Sequence, residues 1–213
     1  MDEEPDWRSS GMVRLAISVE GQTEERFIQK VLVPYLQDRE IYAQPVLLGR
    51  SGGDVYLPRV KKDLNCLARS FDKVTTLYDF YGFRGKDKTE SKKTLEQKIM
   101  NCVSASLREQ IIPYVQMYEF EGLLFSSPEA IENIIHQPGL EDWANGVLQE
   151  FKGNPEKIND SRETAPSKRL LDESGYRKTM HGPDIAEEIG LNVLRKKCTG
   201  FGDWLSRLET LQA

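Results

Sequence analysis

This sequence is poor in the residues that build several common kinds of site. It has two histidines, His136 and His181, and three widely separated cysteines with no Cys-x-x-Cys pair. A structural zinc site needs closely spaced cysteine and histidine ligands, so the composition argues against one. An odd number of scattered cysteines also argues against a disulfide framework and predicts a reducing, cytoplasmic environment.

Long apolar runs and an excess of positive charge are also missing. No segment approaches the roughly 18 apolar residues of a membrane span, so we expect no membrane association. The chain carries 29 Lys and Arg against 34 Asp and Glu, a net charge of −5. This balance removes any general attraction to nucleic acid but allows a local basic groove. Residues 1–11 are acidic and contain no apolar segment, so we expect a flexible tail rather than a targeting peptide.

Hydrophobic patterning predicts alternating strands and helices in the first part of the chain. Four segments rich in apolar and β-branched residues are predicted strands: Val13–Val19, Pro45–Leu48, Lys73–Asp79 and Ile112–Glu121. We predict three helices between these strands. Thr23 caps the first, and Asp54 caps the second, which runs to about Arg69. The third extends from about Glu90 to Glu109. Strands separated by helices form a mostly parallel sheet whose carboxyl ends share one edge.

The second half of the sequence has helical periodicity interrupted by proline and glycine. No repeat and no long linker separates it from the first half. We therefore predict an α/β fold with a mostly parallel four-stranded sheet flanked by helices. The predicted organisation is a single domain over residues 12–213, with a helical C-terminal extension from about 127 to 213.

Acidic residues stand at the ends of three predicted strands, at Glu20, at Asp79, and at Glu119 with Glu121. Side chains two residues apart on a strand share a face, so Glu119 and Glu121 are expected to point the same way. Clustered carboxylates repel one another and are costly to desolvate unless a cation neutralises them. Oxygen ligands suit Mg²⁺ or Mn²⁺ rather than zinc. Each acid taken alone has an alternative interpretation as a solvated turn residue.

A combination of short motifs resembles a known family. The turn Val19–Glu24 (Val-Glu-Gly-Gln-Thr-Glu) and a third strand ending in aspartate resemble the Toprim fold of topoisomerases, primases and overcoming-lysogenization-defect (OLD) nucleases. From about Val13 to Leu208 the chain more closely resembles the bacterial domain-of-unknown-function family 4276. The segments that carry this resemblance are the Val19–Glu24 turn, the Gly52-Gly53 loop, Thr76–Gly82, Tyr118–Phe125, Pro166–Leu170 and Phe201–Leu205.

The resemblance implies magnesium-dependent phosphodiester chemistry and an association with ATPases in phage-defence loci. It implies that Glu20 is the Toprim glutamate, acting as metal ligand or general acid–base, and that Glu24 is the second acid. Asp79 matches the first aspartate of an Asp-x-Asp pair, but Tyr81 stands where the second is expected. A tyrosine, with an ordinary pKa of about 10, cannot replace that carboxylate. Either Glu119 or Glu121 supplies the charge, which we favour, or the site binds one metal weakly, or catalysis is lost.

Basic and aromatic residues suggest where phosphate and bases would bind. Pro166 near a helix start, with Thr164 as its cap, places Lys168 and Arg169 at a natural phosphate site, although a solvated basic turn explains them equally well. Further lysines follow the third strand, and a solvated helix face is their alternative interpretation: Lys86, Lys88, Lys92, Lys93 and Lys98. Aromatic residues near Asp79 could stack on bases or pack in the core: Tyr78, Phe80, Tyr81 and Phe83.

These observations predict a Mg²⁺- or Mn²⁺-dependent nuclease that acts on DNA or RNA. Glu20, Asp79, Glu119 and Glu121 would hold metal, and Glu20, Asp79 and Glu24 would be the catalytic residues, with Glu24 assisting a second ion. Lys168 and Arg169 would bind phosphate. The alternative is a non-catalytic partner or sensor subunit of an ATPase, which Tyr81 and the acidic net charge favour. A third hypothesis is phosphoryl transfer or hydrolysis on a small nucleotide.

Overall fold

A parallel β-sheet organises the part of the chain that the computed structural model describes, residues 12–87, 89–159 and 163–211. Its strands are β1 (Val13–Val19), β2 (Ile41–Leu47), β3 (Lys73–Asp79), β4 (Ile111–Ile112) and β5 (Val115–Gln116). The strand order is β2-β1-β3-β4, β5 also pairs with β3, and every pairing is parallel. The expected mostly parallel sheet is therefore confirmed. The predicted tail, residues 1–11, lies outside the described residues.

Helices cover both faces of this sheet. Leu15 and Ile17 of β1 join one hydrophobic cluster, and Ala16 between them joins a second. This alternation is expected for a strand buried on both faces. The helices of the first half are α1 (Gln22–Phe27), α2 (Val33–Gln37), α3 (Leu57–Leu67) and α4 (Lys92–Cys102). A π-helical segment, Ile28–Leu32, joins α1 to α2.

The C-terminal half is helical, as predicted. A 3₁₀ helix, Phe120–Ser126, leads into α5 (Pro128–Ile135), α6 (Leu140–Glu150), α7 (Pro166–Glu173), α8 (Lys178–Ile189), α9 (Leu191–Lys197) and α10 (Thr199–Glu209). Other short 3₁₀ segments cover Leu48–Arg50, Ala105–Gln110 and Pro155–Lys157. None of the described helices is both long enough and apolar enough to span a bilayer.

Several element boundaries differ from the predicted ones. Strand β2 starts at Ile41 rather than at Pro45. It continues through Pro45 because an edge strand tolerates a proline. Helix α4 covers only Lys92–Cys102 of the predicted Glu90–Glu109. The predicted caps Thr23, Asp54 and Thr164 are also wrong. The N-cap positions are Gly21, Tyr56 and Ala165 instead.

The fourth strand is the main departure from the prediction. It is split at Pro113, where Thr76 bridges the gap by donating from Oγ1 to the Tyr114 carbonyl at 2.7 Å and accepting from the Tyr114 amide at 2.9 Å. The strand ends at Gln116, and the chain then turns through Tyr118 with a φ of 62°. Glu119 caps the following 3₁₀ helix and Glu121 lies within it, so the prediction that they share a strand face is wrong.

Trp204 fixes helix α10 to the sheet. Its indole Nε1 donates a hydrogen bond of 2.8 Å to Thr75 Oγ1 of β3. The ring stacks on Tyr114 with a centroid separation of 4.6 Å and an interplanar angle of 9°. The Thr75 hydroxyl in turn donates to the Ile112 carbonyl at 2.6 Å. One buried tryptophan thus joins the helical half of the chain to both β3 and the split fourth strand.

We propose from this contact that residues 12–213 fold as a single domain. Trp204→Ala is expected to lower the free energy of unfolding by about 3–5 kcal/mol, because it removes a large buried ring and leaves a cavity. Trp204→Phe keeps a ring over Tyr114 and should cost less. Urea unfolding followed by both far-UV circular dichroism and tryptophan fluorescence is the measurement. Two separated transitions in the wild-type protein would contradict the single domain.

Candidate carboxylate site at the strand ends

Glu20 follows directly after β1, where a glycine loop closes over the turn. The Gly53 amide donates to the Glu20 carbonyl at 2.9 Å. Gly52 has a φ of 71°, and a Cβ atom there would lie 2.6 Å from the same carbonyl oxygen. Only glycine satisfies both conditions. The Gly52-Gly53 loop therefore serves to bring the chain against the Glu20 backbone.

The side chain of Glu20 lies against a second loop, which follows β3. A Cβ atom at Gly82 would come within 2.6 Å of Glu20 Oε1. The two loops are joined to each other, because Val55 forms a parallel bridge with Phe83 and its carbonyl accepts from the Arg84 amide at 2.7 Å. Glu20 is thus enclosed between two glycine-bearing loops at the carboxyl edge of the sheet.

Asp79 ends β3 beside Glu20. Its Oδ1 atom and Glu20 Oε2 are shielded from solvent and have no hydrogen-bond partner among the described residues. Burial raises the pKa of Asp79 well above its usual range, and four neighbouring carboxylates raise it further: Glu24, Glu20, Glu121 and Glu119. A buried carboxylate oxygen without a donor is unfavourable when ionised, so this position favours a proton or a cation.

Glu24 has a structural role in addition to its predicted one. It lies in the first turn of α1, is 8% exposed, and its Oε2 accepts from the Gly21 amide at 3.0 Å. That bond is half of a capping box and fixes the turn that carries Glu20. Burial is also the main cause that raises the pKa of Glu24, although the Gly21 bond opposes it.

Glu119 and Glu121 reach the cluster from the 3₁₀ helix rather than from a strand. Glu119 Oε2 accepts from the Ser167 amide, in the first turn of α7, at 2.9 Å. Glu121 is 2% exposed and its Oε1 lies 3.4 Å from both the Tyr176 hydroxyl, which donates to it, and Lys178 Nζ. The fold therefore brings all of the predicted acids together, although two of them arrive by a different route.

Lys178 and Tyr176 were not identified from the sequence. Lys178 begins α8, and its charge lowers the pKa values of Glu20, Glu24 and Glu121. No local pattern marks it, because its position depends on the packing of α8 against α1. That packing is close, since a Cβ atom at Gly182 would lie 2.8 Å from the Tyr176 hydroxyl and 3.2 Å from Thr23 Cγ2.

The residues fit a hard divalent cation in the kind of atoms they offer, but they are not pre-assembled around one. Within the described ranges, no three Asp, Glu, His or Cys side chains form a ready-made metal site. The unpartnered oxygens of Glu20 and Asp79 are nevertheless the atoms that a cation would satisfy. Metal binding would therefore require the side chains to rearrange.

Tyr81 stands where the motif resemblance predicts the second aspartate of an Asp-x-Asp pair, and its side chain has partners of its own. Its ring packs on Tyr118 with centroids 5.4 Å apart, and its hydroxyl accepts a hydrogen bond from Asn159 Nδ2. The Tyr81 amide donates to the Tyr118 carbonyl at 3.0 Å. These contacts tie the loop after β3 to the turn that leads to Glu119.

The predicted phosphate-binding pair divides into an exposed and an engaged residue. Lys168 is exposed. Arg169 Nε donates to the Thr164 carbonyl at 2.8 Å, and its guanidinium contacts Glu150 and lies over the Phe151 ring. Because Glu119 binds the Ser167 amide, the start of α7 lies beside the carboxylates. Lys168 is therefore the better placed of the two to meet a phosphate.

The carboxylates predict an unusual dependence of stability on pH. Burial raises the pKa of both Glu20 and Glu121 to about 7, with Glu24 adding to the shift at Glu20 and Lys178 opposing it at Glu121. The unfolded chain loses these protons near pH 4.3, so the folded protein holds more protons in between. Stability should therefore fall by roughly 1–3 kcal/mol as pH rises from about 4.5 to about 7.

Urea unfolding in EDTA across this pH range is the measurement. Glu20→Gln should flatten the profile and be more stable than the wild type above pH 7. Glu129→Gln, at an exposed acid on α5, is the matched control and should leave the profile unchanged. A wild-type stability that rises over this window would show that these carboxyls are not buried as described.

The chain is similar to parts of two solved structures. The C-terminal region of the Burkholderia pseudomallei OLD protein is similar to this chain with 13% identity and a TM-score of 0.49, covering 92% of this chain and 99% of that one. The C-terminal region of the Xanthomonas campestris pv. campestris OLD protein has 20% identity and a TM-score of 0.42, with coverage of 92% and 95%. No curated protein matches the chain.

A family comparison covers most of the sequence. The profile described as Domain of unknown function (DUF4276) matches residues 19–209. The match begins at the residue before Glu20 and includes Asp79, Glu119, Glu121 and the start of α7. It confirms the family suggested by the sequence motifs. The chain is therefore a member of the DUF4276 family.

Proposed function

We propose that this chain is a Mg²⁺- or Mn²⁺-dependent phosphodiester hydrolase that acts on nucleic acid. The observation that carries the proposal is the pair of buried oxygens, Glu20 Oε2 and Asp79 Oδ1, that lack any donor in the described structure and lie among further carboxylates. A purely structural cluster would be expected to satisfy these atoms with hydrogen bonds. Unsatisfied carboxylates in a glycine-lined crevice are instead typical of a site that takes up a cation.

Each residue has a role in this proposal. Glu20 and Asp79 would hold the metal, Glu121 or Glu119 would supply the carboxylate that Tyr81 cannot, and Glu24 would assist. When bound, the metal would orient a phosphodiester and lower the pKa of a water molecule. Lys178, beside Glu121, would neutralise part of the negative charge that a phosphate adds. Lys168, at the start of α7, is the proposed contact to a neighbouring phosphate.

The wider assignment rests on the motif resemblance alone. We infer a Toprim-like site from the Val19–Glu24 turn and the aspartate that ends β3. The same resemblance is the basis for proposing an ATPase partner and a part in defence against phage.

A second candidate function is a non-catalytic partner or sensor subunit of an ATPase. Two observations favour it. Tyr81 occupies the position of a metal-binding aspartate and is engaged with Asn159 and Tyr118. Lys178 already provides Glu121 with a positive partner without a metal. In this reading the cluster would bind a cation or a proton without hydrolysing a phosphodiester.

Substitution of the two unsatisfied acids tests the hydrolase directly. Glu20→Gln and Asp79→Asn keep the side-chain shapes and remove the charges, so each should reduce cleavage of plasmid, single-stranded DNA or RNA at least about a hundredfold. Glu129→Gln should cleave like the wild type. Cleavage that survives both changes would exclude this site. A folded wild type that binds Mn²⁺ without cleaving any substrate would favour the sensor subunit.

Gly82→Ala tests metal binding without an activity measurement. The new methyl group would displace the Glu20 carboxylate, which sits at the end of a flexible side chain, so the fold should tolerate the change. Mn²⁺ at about a hundred times its dissociation constant should stabilise the wild type by about 2.7 kcal/mol, and the variant far less. Thermal unfolding with and without Mn²⁺ measures both.

The matched control for this variant is Gly146→Ala. A Cβ atom there meets nothing within 4 Å, and the residue lies inside α6. It should retain the full Mn²⁺ effect and gain about 0.5–1 kcal/mol of stability from its better helix propensity. Equal Mn²⁺ stabilisation of the two variants would argue against Glu20 as a ligand.

A further inference from the structure

A groove of aromatic and basic residues extends from helix α3 to the loop that follows β3. It consists of three adjoining hollows, of which the first two share Tyr56 and the last two share Arg84 and Lys86. The first hollow is bordered by the 49–50 turn and α3, and the third reaches Phe80 and Tyr81, next to Asp79. We call this surface the Tyr56 groove.

The Tyr56 groove is bordered in part by the two loops that enclose Glu20. The Val55–Phe83 bridge joins them, Gly53 binds the Glu20 carbonyl, and Gly82 touches its carboxylate. A polymer lying in the groove would therefore contact the loop that lies against the Glu20 side chain. The groove and the carboxylate site therefore share these two loops.

The charge of the groove is opposite to that of the chain as a whole. The net charge of the chain is −5, yet the groove is lined by more bases than acids. The lining bases are Arg50, Arg59, Lys62, Arg84, Lys86 and Lys98. The lining acids are Asp63, Asp87 and Glu90. Local positive charge on an acidic protein is what a polyanionic ligand requires.

Two arginines of the groove differ in their contacts. Arg59 holds the turn in shape by donating to the carbonyls of Leu48 at 3.0 Å and Gly52 at 2.9 Å. Arg84 extends into solvent with 68% of its side chain exposed, paired with Asp54 at 2.5 Å. An exposed ion pair contributes little to stability, so Arg84 can exchange Asp54 for a phosphate at small cost.

Tyr56 is the aromatic residue that the groove exposes most, with 41% of its surface accessible. It stands at the N-cap position of α3, and the helix fixes its backbone. Its side chain lines two of the adjoining hollows. An accessible aromatic ring between cationic side chains is the arrangement that stacks on unpaired bases. The bases of a duplex present no free face to such a ring.

We propose that the Tyr56 groove binds single-stranded nucleic acid, with Tyr56 stacking on a base and Arg84 and Lys86 contacting the phosphates on either side. This inference rests on the proposed function and specifies its substrate as an unpaired strand. Binding and cleavage are separate measurements, so the two proposals can fail independently.

The test is the affinity of full-length protein for fluorescein-labelled oligo-dT and oligo-U, measured by fluorescence anisotropy in EDTA and in Ca²⁺. Tyr56→Ala should weaken binding of both strands by about five- to a hundredfold, and Tyr56→Phe should retain it. Tyr42→Ala is the matched control, since Tyr42 is 53% exposed on edge strand β2 and does not line the groove. Arg84→Gln should reduce the salt dependence of binding.

The outcomes separate clearly. A loss confined to Tyr56→Ala and to single strands would support the groove. The proposal would be overturned if Tyr56→Ala bound as tightly as the wild type, or if Tyr56→Ala and Tyr42→Ala lost affinity equally. It would also be overturned if a duplex bound equally tightly or if the wild type did not bind. Cleavage that depends on Glu20 but not on Tyr56 would keep the hydrolase and reject the groove. Binding that depends on Tyr56 without cleavage would do the reverse.

Discussion

The desolvation of carboxylates at one edge of the sheet is the constraint on which the rest of this structure depends. Asp79 is surrounded by Glu20, Glu24, Glu119 and Glu121, and their mutual repulsion raises its pKa beyond the effect of burial alone. Such a cluster is stable only when the surrounding fold compensates for it. The compensation includes the backbone amides of Gly21 and Ser167, the Tyr176 hydroxyl and the positive charge of Lys178.

This compensation explains why distant parts of the chain converge on the same edge. The loops around Gly52 and Gly82 approach Glu20 closely because they carry no side chains there. Helix α7 turns its first amide toward Glu119, and α8 delivers Lys178 to Glu121. The helical C-terminal half is thus part of the site, which a sheet alone would leave with uncompensated negative charge.

The sequence predicted the sheet and the acids well, and the partners of the acids poorly. Strands β1 and β3 were predicted with their observed bounds because apolar and β-branched residues dominate them. An acid marks each carboxyl end, since Glu20 follows β1 and Asp79 is the last residue of β3. The fourth strand was predicted wrongly because Pro113 and the left-handed Tyr118 interrupt an otherwise strand-like pattern. Lys178 was missed because its role depends on the packing of α8 against α1, which no local pattern encodes.

The prolines of the sheet also affect how its edges would meet another strand. Pro45 lies in one edge strand, and Pro113 interrupts the pairing at the opposite edge. Proline has no amide hydrogen to donate, so each edge offers a broken row of donors to an approaching strand. A sheet whose interior strands are apolar on both faces would otherwise be a template for aggregation. We therefore expect the prolines that made these strands hard to predict to hinder other chains from adding to the sheet.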